Sequence, residues 1–326
     1  MGDVSWKRVQ GGTFEVIKKM LAAIKVKPQR AKRVTRIRKD SGNLSGHGIK
    51  VQVSGEEAPR TYSKVFCTAS LPCMQRMDLR GLNLHPSLKD GLRSLRYDAA
   101  CKVGIRFKTP WWVTKCNITR GGSAATDLPI RSVVYPSVDL QANSPAVLIV
   151  SYTWGQDAQR MGSLIAQENK DGLQELILQN LTRLHAPFVD YTYLKSQVLE
   201  THAFDWYANP NTSGAFALFG PGQFDNLYPY LTRPAAGGDF FIAGEAASVH
   251  HAWVAGSLDS GARAVHTFLK TYQLQPDYQD AAGRYLEFFD RVWGRPNEVE
   301  GDENGTEHLQ VMLGMDAQGN EKPVKI

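Results

Sequence analysis

The residues from Gly238 to Tyr272, GDFFIAGEAASVHHAWVAGSLDSGARAVHTFLKTY, contain the pattern that decides the fold. A short apolar run, 240–242, is typical of a β-strand, and it leads into a glycine followed by an acidic residue. Apolar residues then recur at spacings of 4, 3 and 4, which predicts one face of a helix: Leu258, Ala262, Val265 and Leu269. In an open α/β sheet, ligands gather beyond the carboxyl ends of the strands, so the loop between strand and helix is the candidate ligand site.

Several residues of this stretch match one known family. They are Gly244-Glu245, then His251-Ala252-Trp253-Val254, then Gly256, Asp259-Ser260-Gly261 and Arg263-Ala264. In this order they resemble the C-terminal flavin motif of the FAD-dependent amine oxidases, most closely that of the L-amino-acid oxidases. The resemblance implies an α/β fold in which an incomplete FAD-binding, Rossmann-like domain adjoins a substrate domain that mixes β-sheet and helix.

The resemblance also implies a set of cofactor contacts. In the family, the glycine–glutamate pair lies by the ribityl-pyrophosphate, and the tryptophan lies beside the isoalloxazine ring. The following helix points its N-terminus at the flavin pyrimidine, where its partial positive charge stabilises a reduced flavin. FAD is therefore the expected cofactor, and its expected contacts in this motif are Gly244, Glu245, Ala252, Trp253, Val254, Ala255, Gly256 and Ser257.

Two further segments carry the resemblance toward the cofactor and the substrate. Residues 34–37 and 49–53 are predicted strands around a polar hairpin, 40–48. In the family, a valine in the first of these strands contacts the adenine side of FAD through its backbone, and Val34 is the matching position. Residues 206–223, WYANPNTSGAFALFGPGQ, resemble the family loop that brings an aromatic wall to the substrate cavity.

Lys102 is the candidate catalytic residue. It begins a predicted strand, 102–107, and most lysines in such a place only extend into solvent. However, Tyr97, Lys102 and the pair Trp111-Trp112 keep the family spacing of a tyrosine, an active-site lysine and an aromatic–tryptophan pair. In those enzymes the lysine holds a water against flavin N5. A cation there assists reoxidation of the reduced flavin, because negative charge develops on oxygen.

The segment GGSAATDLPIRSVVYP, residues 121–136, resembles an L-amino-acid oxidase segment with a tyrosine before a proline. Tyr135 matches the tyrosine that hydrogen-bonds the substrate carboxylate in those enzymes. Tyr135 and Trp253 are therefore the expected substrate-binding residues. The alternative interpretation of Tyr135 is a strand-end tyrosine that caps the core.

Composition and charge limit the other functions. The chain has 326 residues, of which 42% are hydrophobic and 21% charged, which suffices for one large or two medium domains. The formal net charge is +6, and residues 25–39 hold eight basic residues and no acidic one. No aromatic residues interrupt this run and no known binding motif surrounds it, so a solvated strand edge is favoured over nucleic-acid binding.

Three further features of the sequence concern metal binding, membrane spans and cellular location. The four cysteines form no C-x-x-C pair, so no metal site is expected. No apolar run approaches about 18 residues, so no transmembrane segment is expected. No apolar signal region precedes the first predicted helix, which favours an intracellular location and leaves the compartment open.

The resemblance divides the chain into four parts. Residues 1–75 correspond to the middle of the FAD-binding domain, 76–235 to the substrate domain, and 236–275 to the C-terminal part of the FAD-binding domain. Residues 276–326 are charged and rich in glycine and proline toward the end, which is typical of a surface tail, with one further helix predicted at 285–293.

The nucleotide-binding fingerprint of a complete FAD enzyme is absent from this sequence. That fingerprint is a strand, G-x-G-x-x-G, a helix and a downstream acidic residue for the ribose. The resemblance therefore covers most of residues 5–275 but only the C-terminal part of the family's length. A truncated product, a processed subunit with a companion chain, and a degenerate member that no longer binds FAD tightly all stay open, as does a homodimer.

The activity implied by the resemblance is oxidative deamination of an L-amino acid. Hydride passes from the substrate Cα to flavin N5, the imine hydrolyses to a 2-oxo acid and ammonia, and O2 reoxidises the flavin to give hydrogen peroxide. The first alternative is a non-catalytic fragment, truncated or dependent on a partner. The second is a polyamine or monoamine oxidase, which the possible carboxylate partner Tyr135 disfavours.

Overall fold

The structure is a computed structural model, and it describes residues 8–40, 42, 48–138, 140–167, 171–273 and 277–293. Its strands are, in chain order, β1 (Val34–Lys39), β2 (Ile49–Val53), β3 (Arg60–Tyr62), β4 (Val65–Cys67), β5 (Arg96–Asp98), β6 (Ala100–Phe107), β7 (Gly122–Ala125), β8 (Ser132–Tyr135), β9 (Ala146–Trp154), β10 (Val198–Asp205), β11 (Phe216–Leu218) and β12 (Phe240–Ile242). Its helices are α1 (Phe14–Ala23), α2 (Leu71–Gln75), α3 (Pro86–Ser94), α4 (Trp111–Thr114), α5 (Gly155–Ile165), α6 (Asp171–Leu184), α7 (Tyr191–Gln197), α8 (Gln223–Thr232), α9 (Val254–Gln273) and α10 (Gln279–Trp293).

The first of two hydrophobic cores lies on a five-stranded antiparallel sheet with strand order β10-β6-β9-β8-β7. Side chains alternate between the two faces of a strand, and on β6 the residues 101, 103, 105 and 107 are fully buried. They pack with buried residues of α5, α6 and α7. Lys102 and Arg106 therefore point to the opposite face of the sheet.

The second core joins the smaller sheets to the helices between them. The strands β1, β2 and β3 form an antiparallel sheet, and β4 pairs in parallel with β12. Buried leucines from 82–95 and from α8 pack in this core. Residues 76–95 and 216–231, which the sequence assigned to the substrate domain, pack in this second core, because their apolar side chains meet those of β1, β2 and β12.

The helix α9 buries a different face from the one predicted. Leu258 and Val265 are 37% and 42% exposed. The buried face carries small and polar residues instead: Gly256, Ser260, Arg263, Ala264, His266 and Thr267. Small side chains allow a close approach between helix and neighbouring backbone, and of the predicted stripe Ala262 and Leu269 are half-buried while Leu258 and Val265 are exposed.

Both ends of the described chain form helices, of which the first is exposed and the last is partly packed. The predicted first helix is confirmed as α1, but none of its residues is buried. The predicted late helix is confirmed as α10, which buries Ala282 and Leu286 and contacts α9, so part of the expected surface tail is packed. Residues 294–326, and most of the predicted hairpin loop at 41–47, lie outside the described residues.

Two glycines of α9 give a matched test of its close packing. A Cβ on Gly256 would lie 2.3 Å from the His250 carbonyl oxygen, whereas a Cβ on Gly261 meets nothing within 4 Å. We expect Gly256→Ala to lower the free energy of unfolding by about 1–3 kcal/mol, since the backbone must shift. Gly261→Ala should raise it by up to about 1 kcal/mol through helix propensity. Urea denaturation checks both, and equal effects would contradict the packing argument.

Candidate functional site

The carboxylate of Glu245 ties together three segments at the carboxyl end of β12. Both of its oxygens accept the N–H of Ala217 on β11 at 3.0 Å, and Oε1 also accepts the N–H of Ala252 at 2.8 Å. Ala252 has a left-handed backbone, φ +65°, which is uncommon for a non-glycine residue and is held here by this hydrogen bond. Burial raises the pKa of the Glu245 carboxyl, and the two backbone donors oppose that rise.

A cavity of about 420 Å³ opens beside this carboxylate. Its lining includes a buried phenol, two hydroxyl groups and the turn after β12: Tyr97, Ser70, Ser257, Gly244 and Glu245. A second cavity, of about 550 Å³, is lined by Val34, Cys73 and Arg76. Asn211 lines both cavities, so they are neighbours along one path.

The residues of the first cavity fit the dinucleotide cofactor that the sequence resemblance implies. Gly244 has φ +119° and Gly214 has φ +145°, and a Cβ on Gly214 would lie 2.7 Å from the Tyr97 Cβ. These glycines keep the cavity wall free of side chains, which leaves room for a bulky ligand. The predicted adenine contact, Val34, lies at the second cavity, as a long ligand through both would require.

The structure brings some of the predicted cofactor residues together and leaves others apart. Gly244, Glu245 and Ser257 line the same cavity. Gly256 is buried directly beneath the loop, whereas Ala252, Val254 and Ala255 lie exposed at the start of α9. Trp253 is 68% exposed. Its predicted place beside the flavin ring and the substrate stays a prediction.

Lys102 lies on the open face of the five-stranded sheet, within an aromatic wall. Its Nζ is 4.4 Å from the ring centroid of Tyr152 and 5.4 Å from that of Trp206. Within the described ranges Lys102 forms no ion pair, so cation–π contacts are what orient its ammonium group. Sequence reasoning missed these two partners, although the strand alternation of 152 and 154 placed aromatic side chains on one face.

The segment 206–217 connects the Lys102 wall to the Glu245 cavity. Trp206, at its start, contacts the lysine, and Ala217, at its end, binds the glutamate. Between them, the Thr212 carbonyl accepts a hydrogen bond from Ser70 Oγ at 2.7 Å, and Ser70 lines the cavity. Lys102, the aromatic wall formed by Tyr152 and Trp206, and the Glu245 cavity therefore form one continuous unit.

Tyr135 does not lie on the Lys102 face. It is 7% exposed within the first core, and its hydroxyl is 2.6 Å from Nε2 of His185. Nδ1 of that histidine lies 2.8 Å from the Leu181 carbonyl oxygen, which can only accept, so Nε2 accepts the tyrosine proton. Burial raises the pKa of Tyr135 to about 12. This position matches the alternative interpretation, a tyrosine of the core, and the role of Tyr135 as a substrate contact stays a prediction.

Strand register explains why Tyr135 faces the core. Along β8 the residues at 133 and 135 are buried, while those at 132 and 134 are only partly buried. A shift of one residue moves a side chain to the other face of a sheet. Val134, and not Tyr135, occupies the position that shares a face with Ile149, its cross-strand partner.

With this geometry described, comparisons with known proteins identify the class. The family model of flavin containing amine oxidoreductases matches residues 3–267. The chain belongs to this family, whose cofactor is a flavin. The cavity at Gly244 and Glu245 is therefore the candidate FAD site.

Among individual relatives, L-amino-acid oxidase 4 of Hebeloma cylindrosporum is 40% identical over 309 residues, covering 90% of this chain and 47% of that protein. The L-amino-acid oxidase of Siganus canaliculatus is 30% identical, covering 80% of this chain and 47% of that protein. The chain thus spans about half the length of the curated relatives it matches. A redesigned putrescine oxidase has a similar fold, with a TM-score of 0.65 at 17% identity, over 80% of this chain and 53% of that one.

Two features, a membrane-spanning helix and a cluster of metal ligands, are absent from the described residues. No helix among them is long and apolar enough to cross a membrane. In the same ranges, no group of three or more histidine, cysteine, aspartate or glutamate residues is placed to hold a metal ion.

The tyrosine–histidine pair in the core can be tested by removing one hydroxyl. We expect Tyr135→Phe to lower the free energy of unfolding by about 1–3 kcal/mol, because Nε2 of His185 loses its only donor in a buried place. Affinity for a substrate carboxylate should not change. Tyr207→Phe, at a 55% exposed ring, is the matched control. A higher KM for amino acids in Tyr135→Phe, with an unchanged free energy of unfolding, would instead support the substrate-binding role.

The same pair predicts a pH dependence of stability. Burial lowers the pKa of His185 below its ordinary 6.5, so below that pH the unfolded chain binds a proton that the folded chain resists. Stability from this group is therefore complete above about pH 6.5 and is lost as the pH falls. Thermal unfolding at pH 7.5 and 5.5 measures it. His185→Gln should reduce the difference, whereas exposed His202→Gln should retain it.

Proposed function

We propose that this polypeptide carries the lysine and substrate-facing half of a flavin amine oxidase that oxidatively deaminates an L-amino acid. The observation that carries the proposal is the continuous unit formed by Lys102, its aromatic wall and the Glu245 cavity. A flavin bound along Gly244, Glu245 and Ser257 would have its phosphate-bearing part in the cavity. Lys102 is joined to that cavity by a single segment, 206–217.

The chemistry divides between cofactor and protein. When bound, FAD supplies the two-electron oxidation of the C–N bond, and O2 takes the electrons to give hydrogen peroxide. The aromatic wall of Tyr152 and Trp206 excludes water and favours the neutral amine that can be oxidised. Lys102 supplies a fixed positive charge where negative charge develops on oxygen. Water then hydrolyses the imine to a 2-oxo acid and ammonia.

Similarity to L-amino-acid oxidases supports an amino acid as the substrate. Relatives carrying that name match 80–90% of this chain at 30–40% identity. The alternative substrate is a simple amine or polyamine. The buried position of Tyr135, hydrogen-bonded to His185, supports this alternative, since a simple amine has no carboxylate to be bound.

We further propose that additional polypeptide covers the surfaces left exposed beside the flavin site. In the described ranges β4 pairs only with β12, and Phe66 beside that edge is 39% exposed. On α9, Leu258 and Val265 are also exposed, and on α1 Phe14 is 60% exposed and Ile17 43%. A companion chain or a second copy would cover these surfaces, but a second copy would not add a strand–glycine turn–helix unit, because this sequence lacks one. Sedimentation velocity of the purified chain separates the cases, because a dimer supports the second copy and a monomer the companion chain.

The proposed activity is tested with the purified chain, FAD and two substrate panels. We expect flavin absorption bands to stay with the protein after gel filtration, and peroxide release with L-amino acids but not with putrescine. Release with putrescine alone would identify a polyamine oxidase. A protein that stays colourless with FAD would contradict a self-sufficient oxidase and support the non-catalytic, partner-dependent fragment.

The role of Lys102 has a matched control within the same domain. Lys115 Nζ lies 4.6 Å from the ring centroid of Tyr193, so it resembles Lys102 in its contact but lies away from the site. We expect Lys102→Met to slow reoxidation of reduced flavin by O2 about 100-fold, because the charge next to the developing anion is lost. Lys115→Met should not change that rate. Stopped-flow absorbance measures it, and equal rates in both variants would remove Lys102 from the reaction.

A further inference from the structure

Arg263 is a buried cation that contacts only neutral acceptors in the described part of the chain. It lies on the buried face of α9, with 3% of the residue exposed. Its guanidinium donates to two carbonyl oxygens and two hydroxyls, those of Ala247 (2.6 Å), Ile242 (3.4 Å), Ser260 (3.2 Å) and Tyr228 (3.5 Å). Its Nε has no acceptor.

This arrangement is unfavourable for the protein alone. A buried charge is costly unless it is paired, and replacing a buried ion by apolar groups of similar size is often neutral or stabilising. Burial lowers the pKa of the Arg263 guanidinium, which is the direction expected for a cation without a counter-ion. The carbonyl contacts could be made by a neutral donor, so they do not account for a charge here.

Arg263 lies directly behind the wall of the 420 Å³ cavity. Ile242 and Gly244 line that cavity, and Arg263 donates to the carbonyl oxygen of the first. Ser260 Oγ accepts both from Arg263 and from the N–H of Gly244, at 3.1 Å. Because this oxygen accepts twice, the Ser260 hydroxyl proton is still available to donate to another group.

The described lining of the cavity contains no basic side chain of its own. It carries hydroxyls, backbone groups and one carboxylate, that of Glu245, whose oxygens already accept backbone N–H groups. An anion bound there would therefore be stabilised by a positive charge that lies behind the cavity wall. Arg263 meets that requirement through its two contacts with the turn.

We propose that Arg263 is the counter-charge for an anionic group of the ligand bound at Gly244, and that Ser260 transmits its effect to the cavity. The chemical class is a phosphate, and in the proposed function it is the pyrophosphate of FAD. Arg263 acts through Ser260 and the backbone, so it is a positioning residue. The inference rests on the proposed flavin site and adds to it a specific electrostatic component.

The test compares charged and uncharged ligands on the full chain. Thermal unfolding of the wild type and Arg263→Met is followed with inorganic pyrophosphate, with riboflavin and with FAD. We expect pyrophosphate to raise the unfolding temperature of the wild type, and Arg263→Met to bind it roughly 10-fold more weakly. Riboflavin, which has the ring but no phosphate, should bind both proteins equally. Without ligand, the variant should unfold at the same temperature or higher.

Two companion variants sharpen the result. Arg263→Lys keeps the charge and should retain most of the pyrophosphate affinity, and Ser260→Ala should lose part of it. Arg233→Met is the control for a buried arginine at another place, with 8% of the residue exposed, and should leave pyrophosphate affinity unchanged.

Several outcomes would overturn the inference. A lower unfolding temperature of ligand-free Arg263→Met, or an equal loss of riboflavin and pyrophosphate affinity, assigns Arg263 to the fold alone. If pyrophosphate does not change the unfolding temperature of the wild type, the cavity at Gly244 is not an anion site. Charge-dependent binding without amine oxidation would contradict only the proposed function. Oxidase activity and FAD affinity that are unchanged in Arg263→Met would contradict only this inference.

Discussion

The site depends on one half-buried carboxylate that connects three backbone segments. Glu245 follows β12, and its oxygens hold β11 through Ala217 and the turn before α9 through Ala252. Each contact fixes a different part of the site, since β11 continues from the segment that begins at Trp206, and the turn sets where α9 begins. A single acidic residue can do this because each carboxylate oxygen can accept more than one hydrogen bond. Its desolvation is offset by donors that cannot move away.

Much of the fold follows from local sequence, and the strands that flank the flavin side show why. Alternation and turn residues predict β1, β2 and β12, because these elements are decided by their own side chains. Residues 60–67 form two short strands, β3 and β4, whose partners differ. Which core a leucine of 76–95 joins depends on distant partners, and no local pattern contains that information.

In the candidate site, too, some features follow from the local sequence and others depend on distant contacts. Lys102 could be found from its spacing to neighbouring aromatic residues, but its contact with Trp206 depends on how β10 pairs with β6. For Tyr135, a matching segment predicts the strand but not the face of the sheet on which the side chain lies. One residue of register decides between the open face and a core hydrogen bond, because successive side chains alternate. The observed pairing of β8 with β9 and the burial pattern place Tyr135 on the core face.

The two faces of α9 follow from one constraint, the close approach of its first turns to the turn after β12. Gly256 leaves room for the His250 carbonyl, and Ser260 reaches the N–H of Gly244, so this face must be small and polar. Arg263 can be buried only because that face presents carbonyl and hydroxyl acceptors to it. The apolar residues of the helix are then directed away from this contact, to the side where Leu258 and Val265 remain exposed. A helix that packs closely behind a polar cavity on one face thus carries its larger apolar residues on the opposite, exposed side.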